Sequence, residues 1–412
     1  LKIAFFHQNF PGQFLHLSKA MLDRGDEVLA FRRKQDKPRP TPVKTIEYAT
    51  EESNINVLPN WLQETTTSLA IGARVARSAL SQKKAGFHPD IVFAHCGWGE
   101  ALFLKEIWPD AKIVLYCELY YHPNGKNTSF DKEIQKHDLS KASNMRLKNM
   151  LLLAQFEAAD AFMAPTKWQA EQFPNRIARK MKIVHDGVDT DTIKKNNDAV
   201  FELENGNILT KSDKIITLVN RNLEPARGYH KFIRAIPEVL SKHQDAQVVI
   251  VGAENNGYGV KAPKGTSWKE FFLKQVRDNM DSQTLSRIHF VGRIDYNKYL
   301  SLLNVSTVHT YLTYPFVLSW SLIEAMASEC AIVASNTPPV AEVISHGREG
   351  MLCDFHNHSD LAAKICHLLD NPSEREILGK KARAAVLAKY DLHSITLPQQ
   401  MRWLDSLAIK RN

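Results

Sequence analysis

Cysteine is scarce in this 412-residue chain, and nothing in its placement suggests a disulfide framework or a zinc site. The five cysteines, Cys96, Cys117, Cys330, Cys353 and Cys366, are odd in number, lack close pairing and sit mostly among apolar neighbours, as reduced thiols of a cytosolic protein do. Long apolar runs are missing too. No stretch approaches the ~20 residues that cross a bilayer, and the opening Leu1 to His7 turns polar too soon for a secretory signal, reading instead as a first buried strand. No ladder of aromatic and basic residues marks a nucleic-acid binder. The net charge of +8 is scattered, which suits an anionic substrate or peripheral contact with the inner face of an anionic membrane. Internal repeats and low-complexity tracts are absent, and so is the Gly-x-Gly-x-x-Gly fingerprint of dinucleotide binding.

What the chain has is length and a regular alternation. It exceeds what one hydrophobic core usually serves, so two domains of about 200 residues are expected. Strand-like apolar runs at Lys2 to Phe6, Glu27 to Phe31, Asp90 to Ala94, Lys112 to Tyr116 and Ala161 to Ala164 alternate with helical patterns starting near Gly12, Trp61, Gly97, Ser143 and Lys167. A second series follows at Ile215 to Asn220, Gln247 to Val251, Arg287 to Val291, Thr307 to Tyr311 and Ala331 to Ser335. Strand and helix alternating twice over predict two doubly wound α/β domains. The Asp186-Gly187 turn and the polar stretch Lys194 to Lys214 place the hinge between domains at 1–190 and 191–392. Residues 393–412 follow a complete second domain, and the helical pattern from His393 to Ile409 is open to docking on the first.

The segment from Tyr311 to Ser335 carries the strongest chemical signal: a strand end, a loop and a helix start in quick succession. In a parallel sheet such a junction collects charged ligands, because free N–H groups and the positive helix end meet there. Pro315 to Trp320 would present those donors, and Glu324, about one turn further in, is placed to accept from ligand hydroxyls. The same spacing of Leu322, Ile323 and Met326 also fits a plain core helix with Glu324 solvated.

Other candidates stand at strand ends. Gly12, in His7 to Phe14 after the first strand, permits close backbone approach to a bound group, although plain turn chemistry explains it as well. Arg221 and Arg227 lie six apart after the second domain's first strand, as a diphosphate requires of forked, permanently charged groups, or as two surface arginines. His95 ends a strand before small residues, as a cleft histidine or a structural hydrogen-bonder does. Glu118 emerges on the same side of the sheet, unless it is simply an exposed loop carboxylate. Asp189-Thr190-Asp191 has a metal-binding spacing, but Asp191 reads more simply as a helix cap, and His356-Asn357-His358 as a helix-start loop.

The ordered set resembles a retaining glycosyltransferase of family 4. Its marks are the Gly-containing first loop, Asp90 to His95, His185-Asp-Gly-Val-Asp189, Arg221 with Arg227-Gly228, Val251-Gly252, Phe290 to Arg293, and Ile323-Glu-Ala-Met-Ala327. The resemblance covers nearly the whole chain. It implies the GT-B architecture, two Rossmann-like domains facing across a cleft, with the acceptor on the first and a nucleotide-sugar donor on the second. It implies that Arg221 and Arg227 hold the donor's diphosphate, that Glu324 takes the ribose hydroxyls, and that the backbone after Gly292, at Arg293 and Ile294, meets the base. Gly12 would approach the phosphates and His95 the donor sugar. Glu118 is a candidate for acceptor contact. The family's Glu-x7-Glu is broken, with Phe316 in the first position and Ser319 for a usual glycine, so the sugar would be held by backbone near Val317, Leu318 and Ser319. The implied reaction moves a sugar from a nucleotide diphosphate to a hydroxyl of a glycan, lipid-linked or protein acceptor in the cytoplasm, with no metal or other cofactor. A nucleotide-sugar epimerase or hydrolase, or a catalytically silent sugar-nucleotide-binding protein, are the alternatives.

Overall fold

The computed structural model describes residues 1–49, 57–123, 128–136, 138–255, 257 and 259–408. The apolar runs form strands buried on both faces, as parallel sheets require. β1 (Lys2–Phe6), β2 (Glu27–Arg33), β3 (Lys44–Tyr48), β4 (Ile91–His95), β5 (Lys112–Tyr116), β6 (Ala161–Ala164) and β7 (Met181–Ile183) make a parallel sheet in the order β3-β2-β1-β4-β5-β6-β7. A two-stranded hairpin, β8 (Phe201–Glu202) and β9 (Ile208–Leu209), follows. The second parallel sheet is β12-β11-β10-β13-β14-β15, formed by β10 (Ile215–Asn222), β11 (Gln247–Ala253), β12 (Ile288–Phe290), β13 (Val308–Tyr311), β14 (Ile332–Ser335) and β15 (Met351–Cys353).

Contacts divide the chain into two units. The first holds Leu1–Thr128, His137–Gly187 and Leu392–Asn412; the second holds Ser129–Lys136 and Val188–Asp391. In the first, Phe5, Phe14 and Phe93 pack with Tyr116 on one face of the sheet, and Phe6, Phe31 and Trp108 on the other. Burying one such side chain is worth roughly 1.5–3 kcal/mol. In the second, the helix Tyr229–Lys242 buries Phe232, Ile233, Ile236, Val239 and Leu240, the stripe that a 3.6-residue period brings to one face. The helix Leu397–Ala408 packs on the first unit, with Leu404 in its core and Asp405 paired to Arg24 at 2.8 Å. The expected helix ran to Ile409, which lies outside the described residues.

Several local expectations need correction. No helix starts at Gly97; the chain turns through 96–103 and the helix is Leu104–Ile107. Gly99 explains this, since at φ +103° a Cβ would stand 2.2 Å from the Ser68 carbonyl oxygen, so the backbone is pressed against the neighbouring helix. Asp191 caps no helix: residues 190–193 form a turn, closed by Asp189 Oδ1 accepting from the N–H of Asp191 and Thr192 at 3.1 Å each. Asn357 caps the helix His358–Asp370 by accepting from Ser359 and Asp360. All five cysteines are buried thiols. Among the described residues no helix is long and apolar enough to cross a membrane.

Candidate functional site

A doubly wound sheet opens a crevice where its strand order reverses, because loops leaving the two adjacent strands run to opposite faces. In the first unit that point lies between β1 and β4, and in the second between β10 and β13.

The loop after β1 holds His7, buried, and Gly12 at φ +45°. A Cβ on Gly12 would come within 2.4 Å of the His7 ring, so only glycine lets the backbone lie over the imidazole. His7 Nδ1 accepts from the Asn9 N–H at 2.9 Å, which leaves Nε2 to donate to Gln13 Oε1 at 2.7 Å. The Gln13 amide donates to Glu118 Oε1, and Glu118 Oε2 stands 3.3 Å from His95 Nε2. His95 Nδ1 accepts from the Gly97 N–H at 3.0 Å, so its remaining N–H is the one aimed at Glu118. Trp98 lies flat on the His95 ring at 3.9 Å. Three residues named from the sequence, Gly12, His95 and Glu118, are thus brought together through two that were not singled out, His7 and Gln13. Their only signal was membership of the loop after the first strand.

This chain of groups has a definite charge distribution. Burial opposes the charged form of His95, but its hydrogen bond and attraction to Glu118 raise its pKa above the ordinary value. Burial likewise opposes ionised Glu118, and His95 outweighs it, holding the carboxyl below its usual range. His7 is pushed down to about 3 by burial and by the neighbouring His95 charge, and stays neutral.

At the second unit's switch point Arg221 is exposed near the end of β10. Pro225–Arg227 then form a 3-10 turn ending at Gly228, whose φ of +71° and close approach to Leu312 exclude a side chain. Arg227 is aimed across to the loop after β13. Its Nη1 donates to Thr313 Oγ1 at 3.0 Å and to the Val317 carbonyl at 3.2 Å, and its guanidinium lies 5.4 Å from the Phe316 ring centroid. The Tyr314 N–H donates to the Ala226 carbonyl at 3.0 Å, closing the two loops on each other. Phe316 therefore contacts the arginine where the sequence pattern had led one to look for a carboxylate.

The helix that follows is Trp320–Ala327, with Ser319 as its cap. The Ser319 N–H, expected to face a ligand, donates instead to the Tyr311 hydroxyl at 2.9 Å, and the Leu318 side chain packs in the core. The expectation at Ser319 did not allow for a buried tyrosine hydroxyl that takes its N–H; at Leu318 it concerned the backbone, which the side chain's burial leaves untouched. Glu324 is neither solvated nor open. Its two oxygens accept from the hydroxyls of Tyr296 at 2.8 Å and Tyr299 at 2.9 Å, and burial raises its pKa against the opposing effect of those two bonds. Arg293 Nη2 reaches Asn222 Oδ1 at 3.5 Å, next to Arg221 in sequence. Arg293 and Ile294 line a depression of about 190 Å³ with Asp295, Lys298, Phe201 and Glu202.

Two parallel Rossmann-like sheets, each with polar groups gathered at its switch point, define the GT-B class of fold. Over 99% of both chains the structure matches sucrose-phosphate synthase from Thermosynechococcus elongatus, with a TM-score of 0.74 at 17% identity. It also matches Anabaena HepE in complex with UDP, with a TM-score of 0.68 at 15% identity over 98% of this chain and 100% of that one. The family model for the glycosyl transferase family 4 group matches residues 24–193, and that for glycosyl transferases group 1 matches residues 201–385. The chain belongs to the family 4, group 1 glycosyltransferases. Among curated relatives it is 26% identical to spore coat protein SA of Bacillus subtilis over 219 residues, 52% of this chain and 55% of that protein. The chain spans about half the length of the curated relatives it matches.

Proposed function

We propose that the protein transfers a sugar from a nucleotide diphosphate to a hydroxyl acceptor with retention of configuration and without a metal. The observation that carries this reading is Arg227, held at the second unit's switch point by a hydroxyl, a carbonyl and an aromatic face. These contacts fix the direction of a permanently charged, forked guanidinium at the sheet's switch point, as a diphosphate site requires. Arg221, expected in the loop but lying within the last residues of β10 and exposed, supplies a second guanidinium at that strand's end. The similarity in fold to HepE, a protein crystallised with UDP, supports a nucleotide-sugar donor.

In the proposed step the bond from the sugar's anomeric carbon to the diphosphate oxygen breaks while the acceptor oxygen bonds that carbon on the same face. The acceptor's proton passes to the departing phosphate oxygen. Arg221 and Arg227 stabilise the charge that grows on the diphosphate, and being already fixed they need no reorganisation as it forms. The second unit takes the donor, with Arg293 and Ile294 toward the base and Glu324 toward the ribose. The Glu324 bonds to Tyr296 and Tyr299 must then exchange for ribose hydroxyls. The first unit takes the acceptor side through Glu118, with His95 and Gly12 for the donor's sugar and phosphates.

The test is a thermal-shift screen of UDP-, GDP- and ADP-sugars, followed by transfer assays with the stabilising donor and NMR of the product's anomeric proton. A concentration-dependent rise in melting temperature and an anomer matching the donor's are expected. Inversion, or no stabilisation by any nucleotide sugar, overturns the reading. Donor consumed without acceptor would instead identify a hydrolase or epimerase, and binding without turnover a silent binding protein.

A further inference from the structure

Eight residues of the connection between β5 and the helix Leu139–Ala158, Ser129–Lys136, belong by their contacts to the second unit, although the chain on either side belongs to the first. The segment is a turn closed on itself: the Asp131 carbonyl accepts from Ile134 and Gln135, and the Asp131 N–H donates to Gln135 Oε1. Phe130 packs on Tyr314, Phe355 and His356. Glu133 is forked by Arg234 and also bonded to Lys231. At the centre is Asp131, 1% exposed, whose Oδ2 accepts from His230 Nε2 at 2.7 Å and from the Tyr314 hydroxyl at 3.0 Å.

Those two donors stand on opposite sides of the switch point. His230 is in the first turn of the helix that follows Arg227, and Tyr314 is in the loop after β13 that Arg227 grips. A buried carboxylate is costly unless its oxygens are satisfied, so Asp131 holds both elements to one geometry. Although burial opposes its charge, the bond to His230 and the nearby Lys231 keep its pKa down at about 2.

We propose that Asp131 is a positioning residue for donor binding: it clamps His230 to Tyr314 and thereby fixes the 313–317 loop and Arg227 in the arrangement that receives the nucleotide diphosphate. The proposal rests on the functional reading above. It is tested on the full chain by calorimetric titration with UDP, GDP and ADP of the wild type, Asp131→Asn, Tyr314→Phe, the double variant and Glu133→Gln. Each clamp variant is expected to weaken binding of the preferred diphosphate by roughly tenfold, the effect of losing one bond to a charged group. The double variant is expected to bind no more weakly than the worse single one, because both remove the same contact. Glu133→Gln, which loosens the segment away from the loop, lowers the melting temperature and leaves diphosphate affinity within about twofold. Unchanged affinity in Asp131→Asn and Tyr314→Phe, or additive losses in the double variant, overturns the proposal while the functional reading stands. A wild type that binds none of the three diphosphates overturns both. Should Asp131→Asn not fold, Tyr314→Phe decides the matter alone.

Discussion

Replacing Phe316 by leucine separates the holding of Arg227 from its charge. The ring sits 5.4 Å from the guanidinium, a cation–π contact at a half-buried site, while the bonds to Thr313 and Val317 do not involve it. Such a contact is worth about 0.5–1 kcal/mol, so Phe316→Leu should lower kcat/KM roughly 2- to 5-fold. Removing the charge itself, by Arg227→Ala, deletes a group aimed at developing negative charge and should cost on the order of 10²–10³ in kcat. Arg227→Lys should fall between the two, since an ammonium keeps the charge but lacks the rigid planar fork that spans the loop and faces a phosphate at once. Initial rates over a range of donor concentration give these values, and thermal melts show that each variant folds. If Arg227→Ala transfers sugar at the wild-type rate, the diphosphate assignment is wrong. If Phe316→Leu loses as much as Arg227→Ala, the ring has some role other than orienting the guanidinium.

Glu118→Gln should reverse the upward shift of His95, seen as a lower imidazole pKa in an NMR titration, with an effect on stability that depends on pH. His95, raised above its ordinary 6.5, contributes in full below that pH and loses its contribution as pH climbs through the folded value. Glu118, lowered below its ordinary 4.5, contributes above that pH and loses its contribution as pH falls through the folded value. The stability gap between wild type and variant, read from urea midpoints, should therefore be widest between about 4.5 and 6.5 and close toward either side; a gap that ignores pH would show that the two groups are not coupled. Tyr296→Phe vacates one oxygen of Glu324, and if that oxygen is needed by a ribose the variant should bind UDP tighter by about 1 kcal/mol, roughly fivefold; unchanged or weaker binding would show that Glu324 and Tyr296 serve each other only.

The two sheets were legible because parallel strands buried on both faces are written as unbroken apolar runs, as at Ile91 to Ala94 or Val248 to Val251. β3 and β15, at sheet edges and only half buried, carry no such run and were not anticipated. Strand-end residues such as His95, Arg227 and Glu118 could be named because position in a doubly wound fold is itself a signal. Their partners could not. Nothing local predicts that Gln13 joins His7 to Glu118, that Tyr311 claims the Ser319 N–H, or that two tyrosines close on Glu324. The segment Ser129–Lys136 is the extreme case: polar, without period, and bonded to residues about a hundred positions away.

The helix Leu397–Ala408 has a consequence for biosynthesis. Val188 and Asp391, where the chain enters and leaves the second unit, are bridged to each other, so that unit is an insertion within the first. Leu404, buried in the first unit's core beside Leu17 and Met21, is translated only after the whole insertion. The usual order in which domains mature on the ribosome is inverted here: the first unit's sheet waits, with one flank uncovered, for a helix translated after the inserted unit.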